Sequence, residues 1–385
     1  MELGFPLSSR LILVAASVAL FAHSGVTRAQ PRLSQELKTD WDKHSVDLEE
    51  IISGGVPKDG IPAIDNPRFV SVRAASEWVG AREPVIMLVV GSEARAYPLQ
   101  IMTYHEIVND VVDGEPVAVT FCPLCYSAIA FRRTVGNSEL DFGVSGLLRH
   151  SDLIMYDRQT ESLWQQIGGE AIVGAMTGTL LEEVPAQLVS FEQYSDRFPG
   201  GSVLSRDTGY SRPYGTNPYG GYDDIDDRPF LYRGELDSRL PPMEKVVSVA
   251  IEDIHVAYPH SVTREERVIN DVVAGIPLVV FHVDGAVTAL GNPRIRDAHV
   301  IGTTGVFDRR VDGRTLRFRF EDGEIRDVET GSTWDVTGRA MTGRLAGQVL
   351  RSIPHGNPFS FAWFAFRPAS SIYGEPVQEE DRGQR

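Results

Sequence analysis

Cysteine is nearly absent from this chain: 385 residues carry two, Cys122 and Cys125. Two thiols exclude a disulfide scaffold and leave one bridge, one redox pair or part of one metal site. Basic charge is scarce as well. Thirty-seven Lys+Arg against 53 Asp+Glu give a net charge of −16 and a pI near 5.0, which argues against a protein built to grip nucleic acid or an anionic membrane. The sequence has no phosphate-binding glycine loop and no HExxH zinc helix, so no nucleotide cofactor is expected. What is present is ordinary for a folded protein: 42% hydrophobic and 23% charged residues exclude bulk disorder.

Long apolar runs are missing after the first thirty residues. Residues 11–22 form one such run behind a short leader that carries Arg10, and the chain offers a cleavage site around Thr27 to Ala29. The pattern predicts a signal peptide over 1–29 and an exported protein, periplasmic or extracellular. The run is short for a bilayer span, so an uncleaved anchor is the alternative, and no stable membrane span is expected after cleavage. Removing 29 residues from 385 leaves 356, more than the roughly 250–300 at which one core usually splits, so two cores are expected.

The chain matches itself at long range. YPLQIMTYHEIVNDVVDGEPVAVTF from Tyr97 aligns without a gap to YPHSVTREERVINDVVAGIPLVVFH from Tyr258, at an offset of 161 residues. A second block pairs MYDRQTESLW, ending at Trp164, with IRDVETGSTW, ending at Trp334, and a third pairs AIVGAMTGTLLEEVP with AMTGRLAGQVLRSIP. Self-similarity of this kind predicts two tandem homologous halves arising from an internal duplication, at 85–208 and 244–375. An N-terminal extension over 30–84 would pack on the core, and 376–385 would be a polar tail. The connecting segment 209–243 is rich in Tyr, Gly, Pro and Asp. Its repeated tyrosines predict a loop that packs onto something, and its acidic DDIDD lacks the length and glycine of an EF-hand.

Short β-branched or alternating runs at 83–90, 116–121 and 127–133 predict strands, whereas Ile101, His105, Val108 and Val112 are spaced as one face of a helix starting after Pro98. Asp113-Gly114 predicts a turn, and the alternating TLRFRFEDGEIRDVETGSTWDV predicts strand, turn and strand. The fold class expected is α+β and β-rich.

The two halves act as controls for each other. Residues kept in both copies serve the shared scaffold, while reactive residues found in one copy mark a site. By the constant offset Cys122 faces Val283, Cys125 faces Ala286, His105 faces Glu266 and Glu106 faces Arg267, and the segment GVSGLLRHSD with Ser145, Arg149 and His150 falls where the second copy is shorter. Everything reactive lies in the first half.

Cys-x-x-Cys has three chemical readings. As a redox pair it would open a helix whose dipole activates a thiolate, but the residues after Cys125 alternate like a strand. As a turn between strands it points both sulfurs one way and suits copper or zinc, with His105 and His150 as the candidate further ligands and Glu106 as an acid–base or supporting group. As a disulfide it would staple the turn in an oxidising compartment. His105 also reads as a hydrogen-bonded core histidine. The twice-present D-x-x-T-x-S-x-W favours a scaffold role, with Asp157 capping a turn and Trp164 filling the core. Ser162 is a poor nucleophile candidate, and Gly143 to Gly146 lacks the full G-x-S-x-G elbow.

The motifs KDGIPAIDNPRF, RAYP, HEIVND, VTFCPLCYSA, FGVSGLL, MYDRQTESLWQQIGGEAIVG and FAWFAFRP together resemble an exported family of bacteria and archaea catalogued as a domain of unknown function. The resemblance spans nearly all of the chain after residue 29. It implies a location outside the cytoplasm and a hallmark of His105, Glu106, Asn109, Asp110, Cys122, Cys125 and Ser145, and it names no substrate. The residues therefore predict a metal-binding protein using Cys122, Cys125, His105 and His150. A thiol–disulfide oxidoreductase with a redox partner, or a module binding a small ligand without chemistry, are the alternatives.

Overall fold

PVIMLVV is β-branched at four of its seven positions, and it forms a strand, Pro84–Val90, paired antiparallel with Glu93–Pro98. The computed structural model describes residues 37–375, so the leader expected over 1–29 and the tail at 376–385 lie outside the described residues. Pro98 opens a helix, Leu99–His105, which stops after seven residues because Glu106 takes a left-handed backbone conformation at φ 59°. The helical face expected to run through Val108 and Val112 is therefore corrected: both belong to a strand, Ile107–Val112. The turn Asp113-Gly114, with φ of 47° and 80°, returns the chain as the strand Glu115–Cys122. That strand pairs with Ser127–Arg132.

The second half repeats this order with its hydrogen-bond register intact. Val85 pairs Pro98 and Ile107 pairs Thr120; Val246 pairs Pro259 and Val268 pairs Phe281, each 161 residues on. Its helix His260–Glu266 ends in the same way, at Arg267 with φ 66°. Tyr97 donates to Asp110 Oδ2 at 2.6 Å and Tyr258 to Asp271 Oδ2 at 2.8 Å. Asn109 exchanges two hydrogen bonds with the Phe142 backbone, as Asn270 does with Phe318.

The D-x-x-T-x-S-x-W segments are twins as well. Asp157 accepts from the Thr160 N–H and hydroxyl and, at 2.9 Å, from Trp164 Nε1; Asp327 does the same for Thr330 and Trp334. Ser162 is held by Thr160 and by the Met176 N–H at 3.1 Å. These side chains are committed to turn and core.

The halves part company after Cys122 and Val283. In the first, residues 123–126 turn directly into the next strand, where Cys122 pairs Ser127; in the second, the longer segment 284–302 intervenes before Val283 pairs Thr303. Ala286 is thus not the structural counterpart of Cys125. Instead the segment reaches over the first half, where the Ala289 N–H donates to Tyr126 Oη at 3.1 Å. The largest apolar cluster accordingly crosses between halves, joining Phe121, Cys122 and Trp164 to Met243, Leu290 and Phe359, while three further clusters have their buried residues within the second half. The expected packing of the connecting loop is seen in Tyr214, Tyr219 and Tyr222, all against that largest cluster.

The N-terminal segment also joins the first half, since Ile51–Ser53 pairs with Phe142–Arg149. The architecture is β-rich α+β. Among the described residues no helix is long and apolar enough to cross a membrane.

Candidate metal centre

Two hairpin turns meet to make the site. In the first, the Cys125 N–H donates to the Cys122 carbonyl at 3.3 Å and that of Tyr126 to Pro123 at 3.3 Å, a tight turn that sets both thiols on one side. Tyr126, at φ 55°, leads into the following strand rather than a helix, and the Phe359 N–H clamps the Cys125 carbonyl at 2.9 Å. The second turn consists of His150 and Ser151, at φ 51° and 66°, between the paired residues Arg149 and Asp152. Two successive left-handed residues that are not glycine carry a cost that the surroundings must offset. Here the Ser151 carbonyl accepts from Cys122 Sγ at 3.8 Å and its hydroxyl donates to the Phe230 carbonyl of the connecting loop.

This meeting places Cys122, Cys125 and Asp152 together, each buried, with ligand atoms all within 4.8 Å of one another, a group able to hold a metal ion. The cysteines are free thiols, so the staple considered from sequence is not formed. Asp152 Oδ2 accepts from the Ile167 N–H at 2.8 Å and from Gln165 Nε2 at 2.7 Å. Its Oδ1 is buried and takes no N–H or O–H partner among the described residues, so only the thiols of Cys122 and Cys125 act on the carboxyl from that side. Such an atom is costly unless something pairs with it.

Electrostatics sharpen the picture. Burial pushes the Asp152 carboxyl up to about 6, and burial, followed by the nearby Asp152 charge, pushes Glu106 up to about 8. Burial likewise raises both thiols, Cys125 well above its ordinary value. Four acids thus lie buried close together, and no cation is among the largest influences on any of them. A divalent cation would relieve that arrangement by displacing protons, and two sulfurs with one carboxylate oxygen are donors that zinc or copper accepts.

The two histidines expected as ligands are not members of the group. His105 is fully buried, and Nδ1 must donate to the Pro62 carbonyl at 2.7 Å, leaving Nε2 to accept from the Tyr214 hydroxyl at 2.6 Å. Burial lowers its pKa, in keeping with a neutral core histidine. His150 turns its ring to Tyr232 and Phe366 and its Nε2 towards Glu50, 3.6 Å away. Glu106, by contrast, stands where it feels the charge of Asp152 and acts in turn on Cys122. Ser145 donates to the Ile154 carbonyl and accepts from the Leu147 N–H at 3.0 Å, which fixes a bulge in its strand.

Tyrosines of the connecting loop close the site. The Tyr222 hydroxyl donates to the Leu124 carbonyl inside the Cys-x-x-Cys turn at 3.1 Å. Burial raises the phenols of Tyr219 and Tyr222, and nearby Cys122 adds to both shifts. Asp152 is the residue that sequence reasoning missed. Its signal was a carboxylate leading the apolar LIMY, where a charge needs a reason to be buried.

No curated protein and no solved structure matches this chain. A family model does match, over residues 58–370, a span that takes in both turns of the site, about half of the N-terminal segment and nearly all of the second half. The chain belongs to the family described as Protein of unknown function (DUF3179).

Proposed function

We propose that this protein binds one transition-metal ion, zinc or copper, through Cys122 Sγ, Cys125 Sγ and Asp152 Oδ1. The observation that carries the reading is the buried cluster of both sulfurs and an Asp152 carboxylate oxygen, all within 4.8 Å of one another, in which Oδ1 takes no N–H or O–H partner among the described residues. Three protein donors leave a fourth position for water, a substrate or the Glu106 carboxylate, the arrangement found where a metal does chemistry rather than staple a fold. Export follows from the leader pattern at 1–29. The matching registers and twin Asp–Thr–Trp networks support an internal duplication in which the first copy kept or gained the site and the second covers it.

A thiol–disulfide oxidoreductase fits less well. An attacking thiolate needs a lowered pKa and access, whereas both thiols are buried, raised and followed by a strand. To test the metal reading, the full-length chain is purified anaerobically and its metals are counted by mass spectrometry. About one ion per chain is expected, and background content in Cys122→Ser/Cys125→Ser. Background content in the wild type would sink the proposal.

A further inference from the structure

The connecting segment is itself the counterpart of a piece of the first half. PYGGYDDIDDRPF, residues 218–230, aligns with PKDGIPAIDNPRF, residues 57–69, at the same offset of 161 residues, and the two share Pro218, Gly221, Ile225, Asp226 and Phe230. In the first half this strap is seated on the edge strand Ile107–Val112. The Ile64 N–H donates to the Ile107 carbonyl at 2.9 Å, the Asn109 N–H donates to the Ile64 carbonyl at 2.8 Å, and Asn109 Nδ2 donates to Asp65 Oδ1 at 2.8 Å. Ile64 and Asn109 are accordingly 2% exposed.

The second half keeps the seat and leaves it unpaired. Arg267 turns its carbonyl to the His282 N–H at 2.8 Å, as Glu106 does to that of Phe121, so alternation points the Val268 carbonyl and the Asn270 N–H outward, where Ile107 and Asn109 take the strap. The strand Val268–Val273 ends its sheet, and neither group has a backbone partner among the described residues. Asn270 is exposed, and Ile225 is 45% exposed. The strap 218–230 lies instead over the thiols, held by Tyr222 on the Leu124 carbonyl, by Ser151 on the Phe230 carbonyl and by the ion pair of Asp223 with Lys245. Its tether suits the other seat as well. As many residues separate Ile225 from Lys245 as separate Ile64 from Pro84. An open space of about 500 Å³ is shared by Asp223, Asp224 and Ile225 with Ser261 and Arg264, which belong to the helix that leads into the unpaired edge.

We infer that the strap 218–230 is a gate with two seats: one over the Cys122–Cys125 turn, which shuts the site, and one on the edge Val268–Val272, where Ile225 and Asp226 take the places of Ile64 and Asp65 and the thiols open to solvent. Opening gives up the contacts of Tyr222 and Asp223 and gains two edge hydrogen bonds and the burial of Ile225, which partly offset them. Iodoacetamide labelling of Cys122 and Cys125 in the reduced, metal-free full-length chain reads how often the gate opens. It involves no ion, so its outcome stands apart from that of the metal reading. Tyr222→Phe should speed labelling about fivefold, the scale of one lost hydrogen bond. Ile225→Lys and Asn270→Pro should each slow it by a similar factor, because the first puts a charge where Ile64 is buried and the second removes the edge N–H. Ile225 is exposed in the shut seat, so its variant serves if Asn270→Pro does not fold. Slower labelling is an outcome that general loosening cannot produce, since a destabilised chain labels faster. Labelling of Ile225→Lys or of folded Asn270→Pro at the wild-type rate or faster, or no gain in rate for Tyr222→Phe, would overturn the inference.

Discussion

Asparagine in place of Asp152 is expected to weaken zinc binding by a factor on the order of 100 or more while leaving the metal-free fold at least as stable. The two effects have one origin. Asp152 gives Oδ2 to the Ile167 N–H and Gln165 and leaves Oδ1 without an N–H or O–H partner, with the two thiols close to the carboxylate. An asparagine can keep the first oxygen where it is, but presents to the cluster an NH₂ group that cannot ligate. Without metal, a carboxyl whose pKa burial raises to about 6 is still mostly ionised at neutral pH, at a cost to the fold, and removing it should stabilise the fold by on the order of 1 kcal/mol. Competition against a chromophoric chelator reads the affinity, and urea unfolding of the metal-free chain reads the stability. Unchanged affinity would remove Asp152 from the ligand set, and a large loss of stability would recast it as a structural residue.

Lys245→Met should cost about 3–5 kcal/mol of stability, because it strands a buried aspartate. Lys245 Nζ sits 3.1 Å from Asp223 Oδ2 with both side chains almost wholly buried, and it lies over the rings of Tyr126 and Phe359 at 4.5 and 4.9 Å. Thr288 donates to the same aspartate oxygen, so one ion pair ties the connecting loop, the segment 284–302 and the residue after Cys125 together. Replacing both partners, as Lys245→Met with Asp223→Asn, should recover most of the loss, since an uncharged pair needs no compensation. Urea unfolding of the two single variants and the double variant measures the coupling. Additive losses would show that the pair is not a unit. The same lesion is expected to loosen the tyrosine cover over the thiols, read as faster alkylation of Cys122 and Cys125.

Sequence periodicity was informative where burial has one reading. The strands around Cys122 and the turn between its sulfurs were legible, because CPLC followed by alternating residues fits a knuckle and not a helix. The spacing of Ile101, His105, Val108 and Val112 misled for a physical reason. Positions four apart share a face in a strand as well as in a helix, and all four side chains are buried whichever element holds them. What ended the helix was a backbone reversal at Glu106, a residue with no glycine to announce it. The internal comparison correctly set Asp157, Thr160 and Trp164 apart as scaffold, since the same network recurs at Asp327.

The comparison overreached after Val283. There a constant offset kept pairing residues while the chain departed into a segment with a different task. The histidines attracted attention by type, yet a carbonyl and a tyrosine hydroxyl already use both nitrogens of His105. Asp152 was hidden for the opposite reason. Its closeness to the sulfurs is created by the meeting of two hairpins from different sheets, about thirty residues apart in sequence, and by a two-residue turn of non-glycine residues, neither of which has a local sequence mark.

Cobalt(II) titration of the metal-free chain under anaerobic conditions tests the central claim most directly, because thiolate-to-cobalt charge transfer appears only when sulfur is bound to the ion. The account predicts a charge-transfer band that saturates at about one cobalt per chain, is abolished in Cys122→Ser/Cys125→Ser and is weakened and shifted in Asp152→Asn. A wild-type chain that shows no such band with both thiols reduced would contradict it.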